Sequence, residues 1–182
     1  FVLAGFVLLT ATLVAGVLFG DALYLSGYTV FDQSVQDMQQ LIKSAKARGL
    51  VACDPGSAGY IADHSVHTFL ASIAGVDLLL PSLEEGRILS AESRPEIVAA
   101  LLGEWFPQVA LTLGEDGVQL SSQQGAEHIA AIAADLVDAT GAGDAFAASL
   151  IAETLKGKNF SQAAQAAVKF AAKAVTKLGG RP

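Results

Sequence analysis

From Asp21 onward the sequence alternates short apolar runs of four or five residues with stretches in which apolar side chains recur every three or four positions. The first pattern suits a strand buried on both faces and the second a helix buried on one. Their alternation therefore specifies parallel strands linked by covering helices. Strands are expected at Ala22–Ser26, Leu50–Cys53, Val76–Leu80, Val109–Leu113 and Val118–Ser121. Helices are expected from Ser34 to Gly49 and near His64–Ile73, Pro95–Trp105, Gly143–Leu155 and Ser161–Leu178. The first carries its own punctuation: Ser34 can cap it with Asp37 three residues on, Val35, Met38, Ile42 and Ala45 share a face, and Gly49 stops it. The expected class is α/β, a three-layer αβα domain with a largely parallel central sheet.

A chain of 182 residues suits one domain of this kind. Its net charge of −7, with no basic stripe, excludes a nucleic-acid binder that works by displacing counterions from phosphates. Cys53 is the one cysteine, so no disulfide framework exists; at a strand end and with no basic neighbour in sequence it is expected to be an inert buried thiol. His64 and His67, with Asp63 beside them, fall short of a metal-ligand set and are expected on a helix surface, as is His128. Lys169, Lys173 and Lys177 mark a solvated helix face, opposite Ala167, Ala171, Ala174 and Leu178, which should pack. Trp105 and Phe106 are expected in the core.

Phe1–Phe19 holds no charged residue and is long enough to span a bilayer as a helix, which makes a membrane contact through residues 1–19 one reading. No Lys or Arg flanks it, and Lys43 is the first basic residue of the chain, so neither a signal peptide nor a positively anchored span is well supported. Buried core and a junction with unrelated sequence are the other two readings. The remainder, residues 20–182, is read as the folded domain.

The densest chemical signal is Asp138-Ala139-Thr140-Gly141-Ala142-Gly143-Asp144-Ala145-Phe146, opening a helical pattern. Glycines at a helix entrance let the backbone turn so that unpaired N–H groups and the positive end of the helix dipole face an anion. Asp144 falls in the first turn, beside whatever those donors bind. A base next to an anion hole is the pairing that phosphoryl transfer requires. The bland alternative is a Gly-rich turn whose Asp and Thr merely cap a helix. The Gly-x-Gly-Asp pattern also occurs in intramembrane aspartyl proteases, but Glu153, Lys156 and Lys158 follow too closely for a helix buried in lipid.

Residues 138–146 resemble the D-T-x-G-A-G-D-x-F signature of the ribokinase-like, or PfkB, carbohydrate kinases. Leu23-Tyr24-Leu25-Ser26-Gly27-Tyr28 is similar to the strand that delivers a Ser-Gly dipeptide near the substrate in that family. Cys53-Asp54-Pro55 resembles its D-x-N strand end, with Gly56 where Asn is usual. Leu80-Pro81-Ser82-Leu83-Glu84-Glu85 resembles its N-x-x-E motif with Ser82 for Asn. Thr112-Leu113-Gly114-Glu115-Asp116-Gly117 matches its T-x-G-x-x-G turn, and Ala174-Val175-Thr176 with Gly179 resembles its last nucleotide-side helix.

The resemblance implies a cytoplasmic, ATP-dependent kinase acting on a hydroxymethyl group of a sugar or related small molecule, with homodimers in reach. Asp144 would be the catalytic base, and the backbone of Gly141, Ala142 and Gly143 the anion hole. Thr112, Gly114 and Gly117 would line the nucleotide, with Val168 covering the adenine. Glu85 would organise Mg²⁺ through water, and Asp138 and Thr140 would sit at a K⁺ site. It also implies an N-terminal portion with a lid and a substrate-binding Asp, for which this sequence has only the apolar run, so the substrate half is expected to be missing. A non-catalytic nucleotide-binding module is the alternative from a different class.

Overall fold

The computed structural model describes residues 16–19, as backbone, and 21–179. Their order is β1 (Gly16–Phe19), β2 (Ala22–Ser26), α1 (Gly27–Phe31), α2 (Val35–Lys46), β3 (Leu50–Asp54), α3 (Ala58–Asp63), α4 (Val66–Ser72), β4 (Leu78–Leu79), α5 (Leu83–Ser90), α6 (Pro95–Gly103), β5 (Gln108–Thr112), β6 (Val118–Ser122), β7 (Gly125–Ile129), α7 (Ala142–Leu155) and α8 (Phe160–Ala174). The strands form one sheet in sequence order, β1 to β7. β2, β3, β4 and β5 run parallel, while β1 at one margin and β6 and β7 at the other are antiparallel.

Strand periodicity divides the core in two. Leu23, Leu25, Val51, Cys53, Leu79, Val109 and Leu111 point to one face, where they meet Met38 and Ile42 of α2, Ile61 of α3, Phe69 of α4 and Val98, Ala99 and Leu102 of α6. Ala22, Ala52, Leu78, Leu80, Ala110, Val118 and Leu120 point to the other and pack on Phe146, Leu150 and Ile151 of α7 and Ala163, Ala164 and Ala167 of α8. The expected three-layer arrangement is therefore present. Parallel strands added one after another in a single direction, each by a right-handed crossover, put every connecting helix on the same face. The opposite face stays open until α7 and α8 cover it, and their alanines allow a close approach.

Several elements differ from the sequence expectation. Gly16–Phe19 is an edge strand whose Gly16 pairs with Leu25, not part of a membrane helix; residues 1–15 lie outside the described residues. No helix among those described is long and apolar enough to cross a membrane. α8 ends at Ala174 rather than Leu178, leaving Leu178 81% exposed instead of packed. Trp105 is 65% exposed, while Phe106 enters the core, because α6 stops at Gly103 and the next turn can turn only one of the two neighbours inward. Cys53 is buried, as expected, and burial holds its thiol well above the usual range.

Leu150 touches the sheet from α7 and is fully buried, so Leu150→Ala should cost about 2–5 kcal/mol. Trp105→Ala should stay within about 0.5 kcal/mol of wild type. Urea unfolding of both variants measures the difference, and a Trp105 cost equal to that of Leu150 would contradict the packing described.

Candidate active site

The carboxyl ends of β2, β3 and β5 and the turn after β4 gather at one edge of the sheet, where open α/β sheets place their ligands. β3 delivers Asp54 there, one residue past the buried Cys53. Tyr24 and Asp54 lie on the α7 side of the sheet, since their neighbours Leu23, Leu25 and Cys53 face the other way. The Tyr24 hydroxyl donates to the Asp54 carboxylate, and Gly56 N–H donates to Asp54 Oδ1 at 2.8 Å. Burial, and then the Glu85 carboxylate, push the Asp54 carboxyl up to about 6 against those two donors, with Asp144 adding to the rise. Burial, Asp54 and Asp144 likewise raise the Tyr24 phenol. Three carboxylates thus bear on one strand end: Asp54 from β3, Glu85 from α5 and Asp144 from α7.

Glu85 is 7% exposed. Its Oε2 accepts from Ser82 N–H at 2.8 Å, while Ser82 Oγ accepts from Glu85 N–H at 3.3 Å. Ser82 and Glu85 therefore form a capping box for α5. The Ser at the motif's Asn position keeps the carboxylate anchored at the end of β4, although a hydroxyl has less reach than an amide.

At the entrance of α7, Gly141 has φ +78 and no side chain caps the helix. Of the three N–H groups expected to face an anion, that of Ala142 is already bonded to Ala139 O at 3.1 Å. Those of Gly141 and Gly143, joined by that of Asp144, have no acceptor among the described residues. Gly143 and Asp144 are exposed and Gly141 is half-buried. Asp138 stands behind them as a tie. Its Oδ1 accepts from Thr140 N–H at 2.9 Å and its Oδ2 from Gly179 N–H at 3.0 Å, binding the approach to α7 to the end of α8. The Thr140 hydroxyl, then these N–H donors, lower its carboxyl to about 2.

Thr112 ends β5 with its N–H on Pro81 O at 2.9 Å, beside a single helical turn over Gly114–Asp116. Gly117 closes that turn at φ +99, where a Cβ would overlap the backbone of Ile129 and Ala131, so glycine is required on two counts. Val168 is 7% exposed and packs in the core beneath β6 rather than standing free on the surface. The three histidines are exposed, but only His67 lies within a helix, α4: His64 follows the end of α3, with its Nδ1 on Tyr60 O at 2.7 Å, and His128 is on strand β7. No group of three or more His, Cys, Asp or Glu side chains among the described residues forms a metal cluster.

The pfkB family carbohydrate kinase model matches residues 14–182. The chain belongs to the PfkB carbohydrate kinase family. It is 31% identical over 167 residues to the bifunctional protein HldE of Coxiella burnetii, a match that covers 87% of this chain and 33% of that protein. A putative ribokinase II from E. coli, solved with ATP and Mg²⁺, shares 27% identity and a TM-score of 0.73 over 87% of this chain and 53% of its own. A probable sugar kinase from Rhizobium etli shares the fold, with a TM-score of 0.80 at 18% identity over 89% of this chain and 50% of that one. This PfkB chain thus spans about a third of the HldE protein it matches and about half of the solved kinases.

The sequence motifs flagged Asp144 and Glu85, but not the cluster they make with Asp54 and Tyr24. The available signal was the period of two along β2 and β3, which puts Tyr24 and Asp54 on one face.

The raised Asp54 carboxyl fixes the sign of a pH effect. Between about 4 and about 6 the folded chain binds more protons than the unfolded one, so stability falls as pH rises through that window. Asp54→Asn keeps the shape and an acceptor for Gly56 N–H while removing the charge. It should flatten this dependence and stabilise the chain at pH 7 by on the order of 2 kcal/mol. Urea unfolding of both forms at pH 4 and pH 7 tests it, and equal slopes would show that Asp54 is not held at this cost.

Proposed function

We propose that this chain carries the nucleotide-binding and catalytic portion of an ATP-dependent kinase that phosphorylates a hydroxymethyl group of a sugar or related small molecule. The observation that carries the reading is the pairing at the entrance of α7: unpartnered N–H groups of Gly141, Gly143 and Asp144 beside the exposed Asp144 carboxylate. Such donors suit the oxygens of a transferring phosphoryl group, and such a carboxylate suits the proton of the attacking hydroxyl.

In this mechanism Asp144 accepts the proton of the acceptor hydroxyl as its oxygen bonds to the γ-phosphorus. The bond from that phosphorus to the β-phosphate bridging oxygen breaks, and ADP leaves. The N–H groups of Gly141 and Gly143 hold the phosphoryl oxygens while charge redistributes over them, with Ala142 shaping the turn. Thr112, Gly114 and Gly117 line the phosphate and ribose side of the nucleotide, with Val168 under the adenine region. The oxygen-only donors at the strand ends, with an Asp54 carboxyl raised by burial and then by the Glu85 and Asp144 carboxylates, suit a hard divalent cation. Glu85 would hold Mg²⁺ through water, where the ion supplies charge neutralisation for the phosphates. Asp138 and Thr140 would border a K⁺ site.

Calorimetric titration should detect MgATP binding to the folded chain, and no heat at millimolar nucleotide would sink the nucleotide site. Gly143→Ala separates the site from the fold. A Cβ at Gly143 meets nothing within 4 Å, so the variant should fold at least as well as wild type and yet bind MgATP more weakly. With a panel of hydroxymethyl acceptors, Asp144→Asn should lower kcat by about 10² to 10⁴ and leave ATP affinity nearly unchanged. Retention of more than about a tenth of kcat, with chemistry rate-limiting, would reduce Asp144 to a capping residue. Nucleotide binding with no turnover of any acceptor would favour a non-catalytic module.

A further inference from the structure

Position 56 and the Tyr28 ring compete for one space. The strand-end motif that Cys53-Asp54-Pro55 resembles continues with Asn, and this chain has Gly56 instead. Gly56 has φ +87 and donates its N–H to Asp54. A Cβ built on it would lie 3.2 Å from both Cδ2 and Cε2 of Tyr28. A side chain at position 56 would therefore press on the aromatic ring, at the same strand end as Asp54.

The ring is also held in place. Tyr28 enters from α1, directly after β2, and its ring centroid lies 5.5 Å from that of Tyr60 on α3 at an interplanar angle of 55°. Tyr60 is set in turn against Phe31, at 4.9 Å and 73°, and Phe31 stacks on the buried Phe69 at 5.1 Å. An aromatic side chain backed in this way has little freedom left to lose when a ligand stacks on it. Even so, Tyr28 is 52% exposed, against the turn in which Gly56 N–H holds Asp54.

We propose that Tyr28 is a specificity-determining residue for the acceptor: a platform, packed against Gly56, on which a ring compound stacks its flat apolar face. The proposal rests on the kinase reading above, because that reading puts the acceptor at this edge. An amide at position 56 would offer hydrogen bonds to hydroxyls; an aromatic face instead attracts the polarised C–H face of a sugar ring or the face of a nucleobase. Both sources share that chemistry, and an acyclic polyol lacks it.

The test is ligand-observed NMR titration of the full chain with D-ribose, D-fructose, adenosine and glycerol, alongside MgATP calorimetry on the same samples. At least one ring compound should bind and glycerol should not; adenosine against the two sugars reports which kind of ring is preferred. Tyr28→Ala should weaken that binding about tenfold or more, and Tyr28→Phe should keep it within about twofold. Gly56→Asn, whose residue type tolerates a positive φ, should press the ring out of its place against position 56 and weaken the binding in the same direction as Tyr28→Ala. Should Tyr28→Ala fail to fold, Gly56→Asn decides alone. Ring binding that is indifferent to these substitutions, or no ring binding up to about 10 mM, overturns the platform. Tyr28-dependent ring binding without any MgATP binding supports the platform and overturns the kinase reading instead, so the two fail separately.

Discussion

Three carboxylates bear on the end of β3, and the one that β3 itself carries, Asp54, is buried there against the charge of the other two. Each has its own compensation. Glu85 is clamped by the Ser82 N–H of its capping box, Asp54 takes the Gly56 N–H and the Tyr24 hydroxyl, and Asp144 stands in the first turn of α7, where the helix dipole favours negative charge. The compensation at Asp54 is incomplete, because burial and the neighbouring charges outweigh its two donors. A cluster that is unfavourable when empty is one that a cation can relieve, since the same repulsion that raises the Asp54 carboxyl becomes attraction toward a positive ion. The stability lost there is thus of the kind a binding site carries.

The sheet makes this concentration possible by sorting its connections. All helices between β2 and β5 lie on one face, so on the other face the strand ends stay uncovered until α7 arrives. α7 packs with Phe146, Leu150 and Ile151 and so brings its amino terminus, with Asp144, over the side of the sheet that carries Tyr24 and Asp54. The tie from Asp138 to Gly179 fixes the approach to that helix against the end of α8. Helix packing and the charge cluster are therefore parts of one arrangement: shifting α7 by a turn would move Asp144 by about 5 Å and separate it from its partners.

Much of this was legible in the sequence, and the failures have physical reasons. Runs such as Leu50–Cys53 and Val118–Ser121 announce strands because both of their faces are buried, and they were placed within a residue or two. β7 was not, because Gly125-Ala126-Glu127-His128 is exposed and lacks the alternation that burial imposes. α1 and α3, of five and six residues, are too short for a helical period to repeat. For α5 the cue was the Ser-x-x-Glu spacing, which was read only as a metal-site motif; it is a helix cap and a carboxylate anchor at once. The apolar run before Asp21 suggested a membrane segment by length, yet its last four residues pair with β2, since a charge-free strand and a charge-free helix look alike without a period to separate them. Trp105 misled because side-chain size suggests burial, whereas a helix end allows only one of two adjacent residues to turn inward.

The site was legible as motifs and not as a constellation, and the difference lies in what a motif encodes. D-T-x-G-A-G-D-x-F fixes residues close together in sequence, so the glycine turn at the entrance of α7 and the place of Asp144 follow from it directly. Asp54, Tyr24 and Glu85 meet only because β2, β3 and β4 are neighbours in register, a fact set by the whole sheet. Gly56 shows the same limit at a single position. As sequence it is simply a departure from the motif; in the structure a Cβ there would press on the Tyr28 ring, so the two positions are coupled. A departure from a family pattern therefore has to be judged with the neighbour packed against it, and here that neighbour is aromatic, backed by Tyr60 and half exposed.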